Sequence, residues 1–259
     1  MTKILAVTNQ KGGVGKTTTS INLAASLAVM KQRVLLIDLD PQGNATMGSG
    51  IDKRGLDATV YQVLLGNVTL EDARKVSDAG KYDVLPANRE LAGAEIELVE
   101  LENRETRLKE ALQLVTKEYD YVLIDCPPAL NLLTLNGLCA AQSVMIPMQC
   151  EYYALEGLSD LVNTIRKVRS HLNPVLEIEG LLRTMFDPRN TLAQQVSDQL
   201  QQHFGDKVYR TVIPRNVRIA EAPSYGVPVF YHDKLSKGTQ AYLALAGEML
   251  NNAAGIVQP

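Results

Sequence analysis

Lys3-Ile4-Leu5-Ala6-Val7-Thr8, then Asn9-Gln10, then Lys11-Gly12-Gly13-Val14-Gly15-Lys16-Thr17-Thr18 opens the chain, and this stretch decides the fold. Its first six residues read as a buried strand. Lys16 to Met30 reads as a helix with Ile21, Ala24, Ala25 and Ala28 on one face. Between strand and helix, glycines let the backbone curl so that its N–H groups point inward at phosphate oxygens. A helix starting at Lys16 adds its positive dipole end. Strand, glycine loop and helix together form the context of a nucleotide-phosphate cradle. Lys16 is placed to neutralise the β- and γ-phosphates of ATP, and Thr17 to put its hydroxyl on Mg²⁺. The strict pattern G-x-x-x-x-G-K-[ST] fails at one position, because Gln10 stands where its first Gly belongs and is followed by a second lysine, Lys11. The dinucleotide pattern G-x-G-x-x-G fails as well, since Gly13 and Gly15 are followed by Thr18.

The rest of the chain repeats the alternation. Strands are predicted at Arg33 to Asp38, Tyr82 to Pro86, Tyr121 to Asp125, Ser143 to Met148, Ile178 to Met185 and Val208 to Ile213. Helices are predicted at residues 59–66, over 89–118 as one or two, and at Leu155 to His171, Thr191 to His203 and Lys237 to Asn251. Strands this uniformly apolar are buried on both faces. Alternating strands and helices then imply an α/β fold, a single doubly wound and mostly parallel sheet with helices on both faces. No repeat, low-complexity tract or flexible linker interrupts residues 1–259. One domain is expected, with no separate DNA-binding domain and a frayed tail at Val257-Gln258-Pro259.

A magnesium-nucleotide site needs carboxylates at the carboxyl ends of neighbouring strands. Two places offer them: Asp38-Leu39-Asp40-Pro41-Gln42-Gly43 after one apolar run, and Asp125-Cys126-Pro127-Pro128 after another. Asp125 resembles a Walker B aspartate that binds Mg²⁺ directly or through water. Asp38 and Asp40 lie two apart and share a face of an extended strand. Asp40, beyond the apolar run, is the candidate for orienting the attacking water. A lone strand-end Asp is commonly a cap or turn residue. Two of them beside a phosphate loop point to chemistry.

Composition narrows the classes. The 259 residues carry 26 basic and 29 acidic side chains, a net charge of −3, so the whole molecule does not advertise a polyanion partner. The three cysteines, Cys126, Cys139 and Cys150, form no C-x-x-C pair, which fits a reducing cytoplasm. Cys126 reads as a small buried hydrophobe. His171, His203 and His232 form no metal pattern. No secretory signal or membrane span is visible.

Lys11 to Thr18, Asp38 to Gly43 and Ile124 to Pro128 resemble the ParA/Soj chromosome-partitioning ATPases, of the deviant-Walker group of P-loop NTPases that also holds MinD. Further matches are Gln149 to Gly157, Thr184 to Arg189, Ile213 to Arg218 and Glu221 to Gly226. The resemblance runs from about residue 2 to 250, with Tyr153 in a position where Phe is expected. It implies that Lys11 is the signature lysine, reaching across a nucleotide-sandwich homodimer to the partner's phosphates. It makes Gly12 the closest approach of the two subunits and Asp40 the hydrolytic aspartate, a third magnesium-site residue beside Thr17 and Asp125. Adenine is held at Pro214 and Asn216, with Glu151 and Met185 completing the nucleotide set. Arg189, Arg215 and Arg218 are the arginines implied to bind DNA non-specifically. From Gly180 to Gln240 there are eight basic and five acidic residues, a net of +3. A few phosphate contacts of this kind give salt-sensitive, sequence-independent binding.

The function implied is an ATP-driven DNA-segregation switch in the cytoplasm, associated with the nucleoid. ATP builds a DNA-binding dimer, and slow hydrolysis, stimulated by a ParB-like centromere-binding protein, releases it. Alternatives are a MinD-like positioning ATPase, an ATP-dependent regulator without DNA transport, and a metabolic enzyme such as a small-molecule kinase or a nitrogenase-type iron protein. Membrane binding of the MinD type requires a basic amphipathic C-terminal helix. Glu248 to Pro259 contains no Lys or Arg, so no membrane partner is expected. The local cysteine sequences do not match those of the iron protein.

Overall fold

The computed structural model describes residues 2–255. The expected frayed tail at Val257 to Pro259, and the end of the non-basic C-terminal segment, lie outside the described residues. Eight strands form one sheet: β1 (Lys3–Val7), β2 (Val34–Asp38), β3 (Lys75–Ser77), β4 (Tyr82–Leu85), β5 (Tyr121–Asp125), β6 (Ser143–Met148), β7 (Glu177–Phe186) and β8 (Val208–Pro214). Their order is β3-β4-β2-β5-β1-β6-β7-β8. Every pairing is parallel except β3 with β4. The mostly parallel doubly wound sheet is therefore as expected.

Both faces of the sheet are buried, which is why the strands read as continuous apolar runs. On β2, Val34 and Leu36 belong to one core and Leu35 and Ile37 to the other; on β5, Tyr121 and Leu123 alternate with Val122 and Ile124 in the same way. The first core is covered by α1 (Lys16–Val29), through Ile21, Leu23, Ala24 and Leu27, and by the last helix, Lys237–Ala253, through Tyr242, Leu245, Ala246 and Met249. The opposite face is covered by α2 (Leu132–Ala140), α3 (Ala154–His171) and α4 (Thr191–Phe204). The last helix is α5.

Two parts depart from the periodicity. Residues 89–118 hold two helices, within the expected one or two, but both are short and leave much of the stretch non-helical. The helices are Leu91–Glu97 and Arg107–Leu112, with 3₁₀ turns at Leu98–Glu100 and Thr116–Glu118. The break falls where Leu101 turns extended and Asn103 adopts φ 55°. There the Asn136 side chain of α2 accepts from Leu108 N–H and donates to the Arg104 carbonyl, so tertiary bonds replace helical ones. Conversely, α2 (Leu-Leu-Thr-Leu-Asn-Gly-Leu-Cys-Ala) is nearly all buried, and so has no amphipathic period to read.

The sheet sets the site. β1 lies between β5 and β6, and the chain winds outward in both directions from there. Such a reversal leaves a crevice at the carboxyl ends of the strands, where α/β sheets bind ligands.

Candidate nucleotide-binding site

The loop after β1 is built as a backbone cradle. Gly13 and Gly15 have φ of 75° and 87°, a region that side chains with a Cβ avoid. Asn9 pins the start, donating from Nδ2 to the Pro147 carbonyl (2.8 Å) and accepting Lys11 N–H (3.0 Å). Thr184, near the end of β7, pins the far side by donating its hydroxyl to the Val14 carbonyl at 2.7 Å. Gly15 precedes α1 without any side-chain cap, so the first N–H groups of the helix are left for an anion.

Lys16 enters this cradle from α1. Its Nζ donates to the Lys11 carbonyl at 3.2 Å, and the residue is only 7% exposed. Burial holds its pKa below the ordinary lysine value, while Asp125, Cys126 and Asp40 act in the opposite direction. A triphosphate delivers the countercharge that such an ammonium lacks.

Asp125 is fully buried at the end of β5, where its carboxylate accepts the Thr17 hydroxyl (2.7 Å) and the Ser20 hydroxyl (2.9 Å). Burial raises its pKa to about 7, with the Asp38 charge adding to the rise and the two hydroxyl bonds opposing it. Asp38 is equally buried. It accepts the N–H and hydroxyl of Thr46, each at 2.8 Å, and the Asp40 N–H at 3.1 Å. β2 stops at Asp38. Turn geometry rather than strand alternation therefore sets the direction of Asp40, whose carboxylate accepts Gln42 N–H (2.9 Å) and whose carbonyl accepts Gly43 N–H (2.8 Å).

Among the described residues no group of three or more His, Cys, Asp and Glu side chains is gathered to hold a metal ion. Magnesium beside a nucleotide needs less: a hydroxyl, one or two carboxylates, phosphate oxygens and waters complete its shell. The Thr17–Asp125 pair at the mouth of the cradle fits that donor set.

The remaining expected residues follow the strand order. Lys11 stands half-exposed on the rim, and its ammonium pairs with Glu151, after β6, at 2.5 Å. Met185 is left-handed at φ 49°, and its sulfur accepts Gln149 Nε2 at 3.0 Å. Pro214 ends β8 opposite Phe186 of β7. Asn216 caps the short helix Val217–Glu221, its carboxamide oxygen accepting Ile219 N–H at 3.2 Å. Arg189 and Arg215 are exposed on the loops after β7 and β8, and Arg218 is exposed on the short helix Val217–Glu221, all outside the cradle's hydrogen-bond network. Sequence reasoning missed Ser20, Asn9, Thr46 and Thr184. Ser20 was legible, three residues after Thr17 on one helix face. Asn9 acts through a contact to β6, Thr184 through one to the loop after β1, and Thr46 through the Asp38 carboxylate eight residues before it.

All three thiols are buried. Burial pushes those of Cys139 and Cys150 up to about 11, and that of Cys126 higher still. His171 and His203 sit at or near helix C-termini, and His232 ends the short helix Val229–His232. No described helix is long and apolar enough to cross a membrane.

Against known proteins, a family profile described as an AAA domain matches residues 2–178. The sporulation initiation inhibitor protein Soj of Bacillus subtilis is 56% identical over 252 residues, 97% of this chain and all of that protein. The chromosome partitioning protein ParA of Caulobacter vibrioides is 52% identical over 251 residues, 96% of this chain and 94% of that one. Among solved structures, a cobyrinic acid a,c-diamide synthase from Mycobacterium smegmatis with bound ATP analogue and magnesium superposes with a TM-score of 0.88 at 40% identity, covering 98% of this chain and 96% of that one.

Proposed function

The chain belongs to the family of chromosome-partitioning ATPases that includes Soj and ParA, and on that premise we propose that it is an ATP-dependent dimerising switch for DNA segregation. ATP lies in the 11–18 loop, its phosphates held by backbone N–H groups and Lys16, its base near Pro214 and Asn216, with Glu151 and Met185 beside it. Thr17, Asp125 and Asp40 hold the magnesium ion, which supplies positive charge at the phosphate oxygens. Asp40 orients the attacking water, and Lys11 serves the phosphates of a second copy. The ATP dimer binds DNA non-specifically through Arg189, Arg215 and Arg218. A ParB-like centromere-binding protein accelerates hydrolysis and so release. One domain carries all of this, in the cytoplasm and on the nucleoid.

The observation that carries the proposal is the pairing of a buried Lys16 in an uncapped cradle with a second lysine, Lys11, left on its exposed rim. The test is retention of mixed-sequence double-stranded DNA at low salt, with Mg²⁺ and either ATP or ADP. Retention with ATP alone is expected, with loss in Lys11→Ala. Equal retention with both nucleotides would remove the switch.

The name of the Mycobacterium smegmatis protein supports a second reading, ATP-dependent amide synthesis. Drawing ammonia from glutamine by a thiol nucleophile needs an accessible thiolate, and the three buried cysteines argue against that. Formation of an amide product from ATP, glutamine or ammonia and a cobyrinic acid would establish it.

A further inference from the structure

Two of the three arginines assigned to DNA are held by carboxylates of their own chain. Arg218 donates from its guanidinium to Glu221 Oε2 at 2.8 Å, and its Nε lies 3.4 Å from Asp233. Arg189 binds Asp187 through both Nε (3.0 Å) and its terminal nitrogen (2.8 Å), while its own N–H also donates to that carboxylate. His232 lies 3.4 Å from the same Glu221 oxygen, and its ring packs against that of Tyr225. A guanidinium offers phosphate and carboxylate the same two-pronged donor edge. These carboxylates therefore occupy the groups that a phosphate would use.

We propose that Glu221, with Asp233, and Asp187 are affinity-setting residues that compete with DNA phosphate for Arg218 and Arg189. This inference rests on the DNA-binding reading above. The ion pairs are exposed, so each is weak and exchangeable rather than a lock. Their effect is to keep each arginine's contribution small, which suits a protein that must let go of DNA. Long-range charge alone predicts the same sign, so a control is needed, and the molecule contains one. Arg54 binds Asp52 with the same geometry as the Arg189–Asp187 pair, yet it lies in the loop before Val60, which carries no residue assigned to DNA.

The experiment is a salt series of binding to mixed-sequence double-stranded DNA, with ATP and Mg²⁺, by the full chain. Glu221→Gln and Asp187→Asn are each expected to bind about two- to fivefold more tightly than the parent. Asp52→Asn should be unchanged. The gain from Glu221→Gln should disappear in the Arg218→Ala background, because the competition has nothing left to compete for. A gain that survives Arg218→Ala, or equal gains in all three acid variants, reduces the effect to net charge and overturns the proposal. DNA binding by the parent with no gain in the acid variants overturns the competition and leaves the DNA-binding reading standing. No DNA binding by parent or variants overturns both.

Discussion

Asp38 and Asp125 are register partners at the ends of adjacent parallel strands, two fully buried carboxylates side by side. Burial, and after it the Asp38 charge, push Asp125 up to about 7, and burial pushes Asp38 up to about 6. Neither is placed for stability alone, since an apolar pair would fill these strand ends without that penalty.

The pair makes stability depend on pH with a definite sign. Because the folded pKa values lie above the ordinary 3.8, the native chain binds more protons than the unfolded chain from about pH 4 to about pH 7. The stabilisation is complete below that window and is lost as pH rises through it. Asp125→Asn keeps hydroxyl partners, because Thr17 and Ser20 can turn to accept from the amide. It should flatten the decline and, without magnesium, stabilise the chain at pH 7.5 by on the order of 1 kcal/mol. Urea melts from pH 4 to pH 8 in a chelating buffer check this, and parallel curves for parent and variant would contradict it. The same variant should lose the stabilisation that Mg²⁺-ATP gives the parent.

The fold was legible because parallel strands buried on both faces must be apolar throughout, as Val34 to Ile37 and Val122 to Ile124 are. The phosphate loop was legible because its chemistry is local: two lysines, glycines at positive φ, and a helix start. What escaped was set by distant contacts. Nothing near Thr184 in sequence announces that its hydroxyl meets Val14, and nothing near Asn136 announces that it breaks the helix across residues 101–106. Asp38 read only as sharing a strand face with Asp40, the chosen candidate, and the Thr46 contacts show it saturated within the fold.

Gly12 and Gly15 should respond oppositely to a side chain. A Cβ at Gly12 would meet nothing within 4 Å, whereas Gly15 holds φ 87°. Gly15→Ala is expected to cost about 1–2 kcal/mol of stability through backbone strain alone. Gly12→Val should melt with the parent, to within about 0.5 kcal/mol, and still bind ATP, yet remain monomeric with ATP and Mg²⁺ if the closest approach of two subunits is at that residue. Thermal melts and light scattering on a sizing column separate the two effects. A Gly12→Val dimer would contradict the assignment.

Thr184→Val tests the outer pin of the loop. The substitution keeps the shape and removes a buried hydrogen bond to the Val14 carbonyl. A cost of about 1–2 kcal/mol in stability is expected. A positioning role adds a second signature: KM for ATP rises several-fold while kcat changes less, because the loop's order, not its chemistry, is disturbed. Equal loss in both constants would place Thr184 closer to the reaction than this contact implies.

Lys11 and Glu151 pair on the surface, with side chains 47% and 52% exposed. An exposed ion pair of this kind contributes about 0–1 kcal/mol, since solvent screens it and two long side chains must be ordered to form it. Its strength is therefore no reason for its presence. A lysine so weakly tethered is free to leave for a better anion, and a triphosphate on a second subunit is one. Lys11→Ala should accordingly leave the melting temperature nearly unchanged and nucleotide binding by the monomer within a few-fold, while abolishing ATP-dependent dimers and the hydrolysis that depends on them. Glu151→Gln should also melt like the parent, because it removes only the tether. Sedimentation of both variants with ATP and Mg²⁺, beside phosphate release, reads this directly. If Lys11→Ala dimerised and turned over like the parent, the lysine on the rim would be an ordinary surface charge, and the two-subunit site would have no cation to join it.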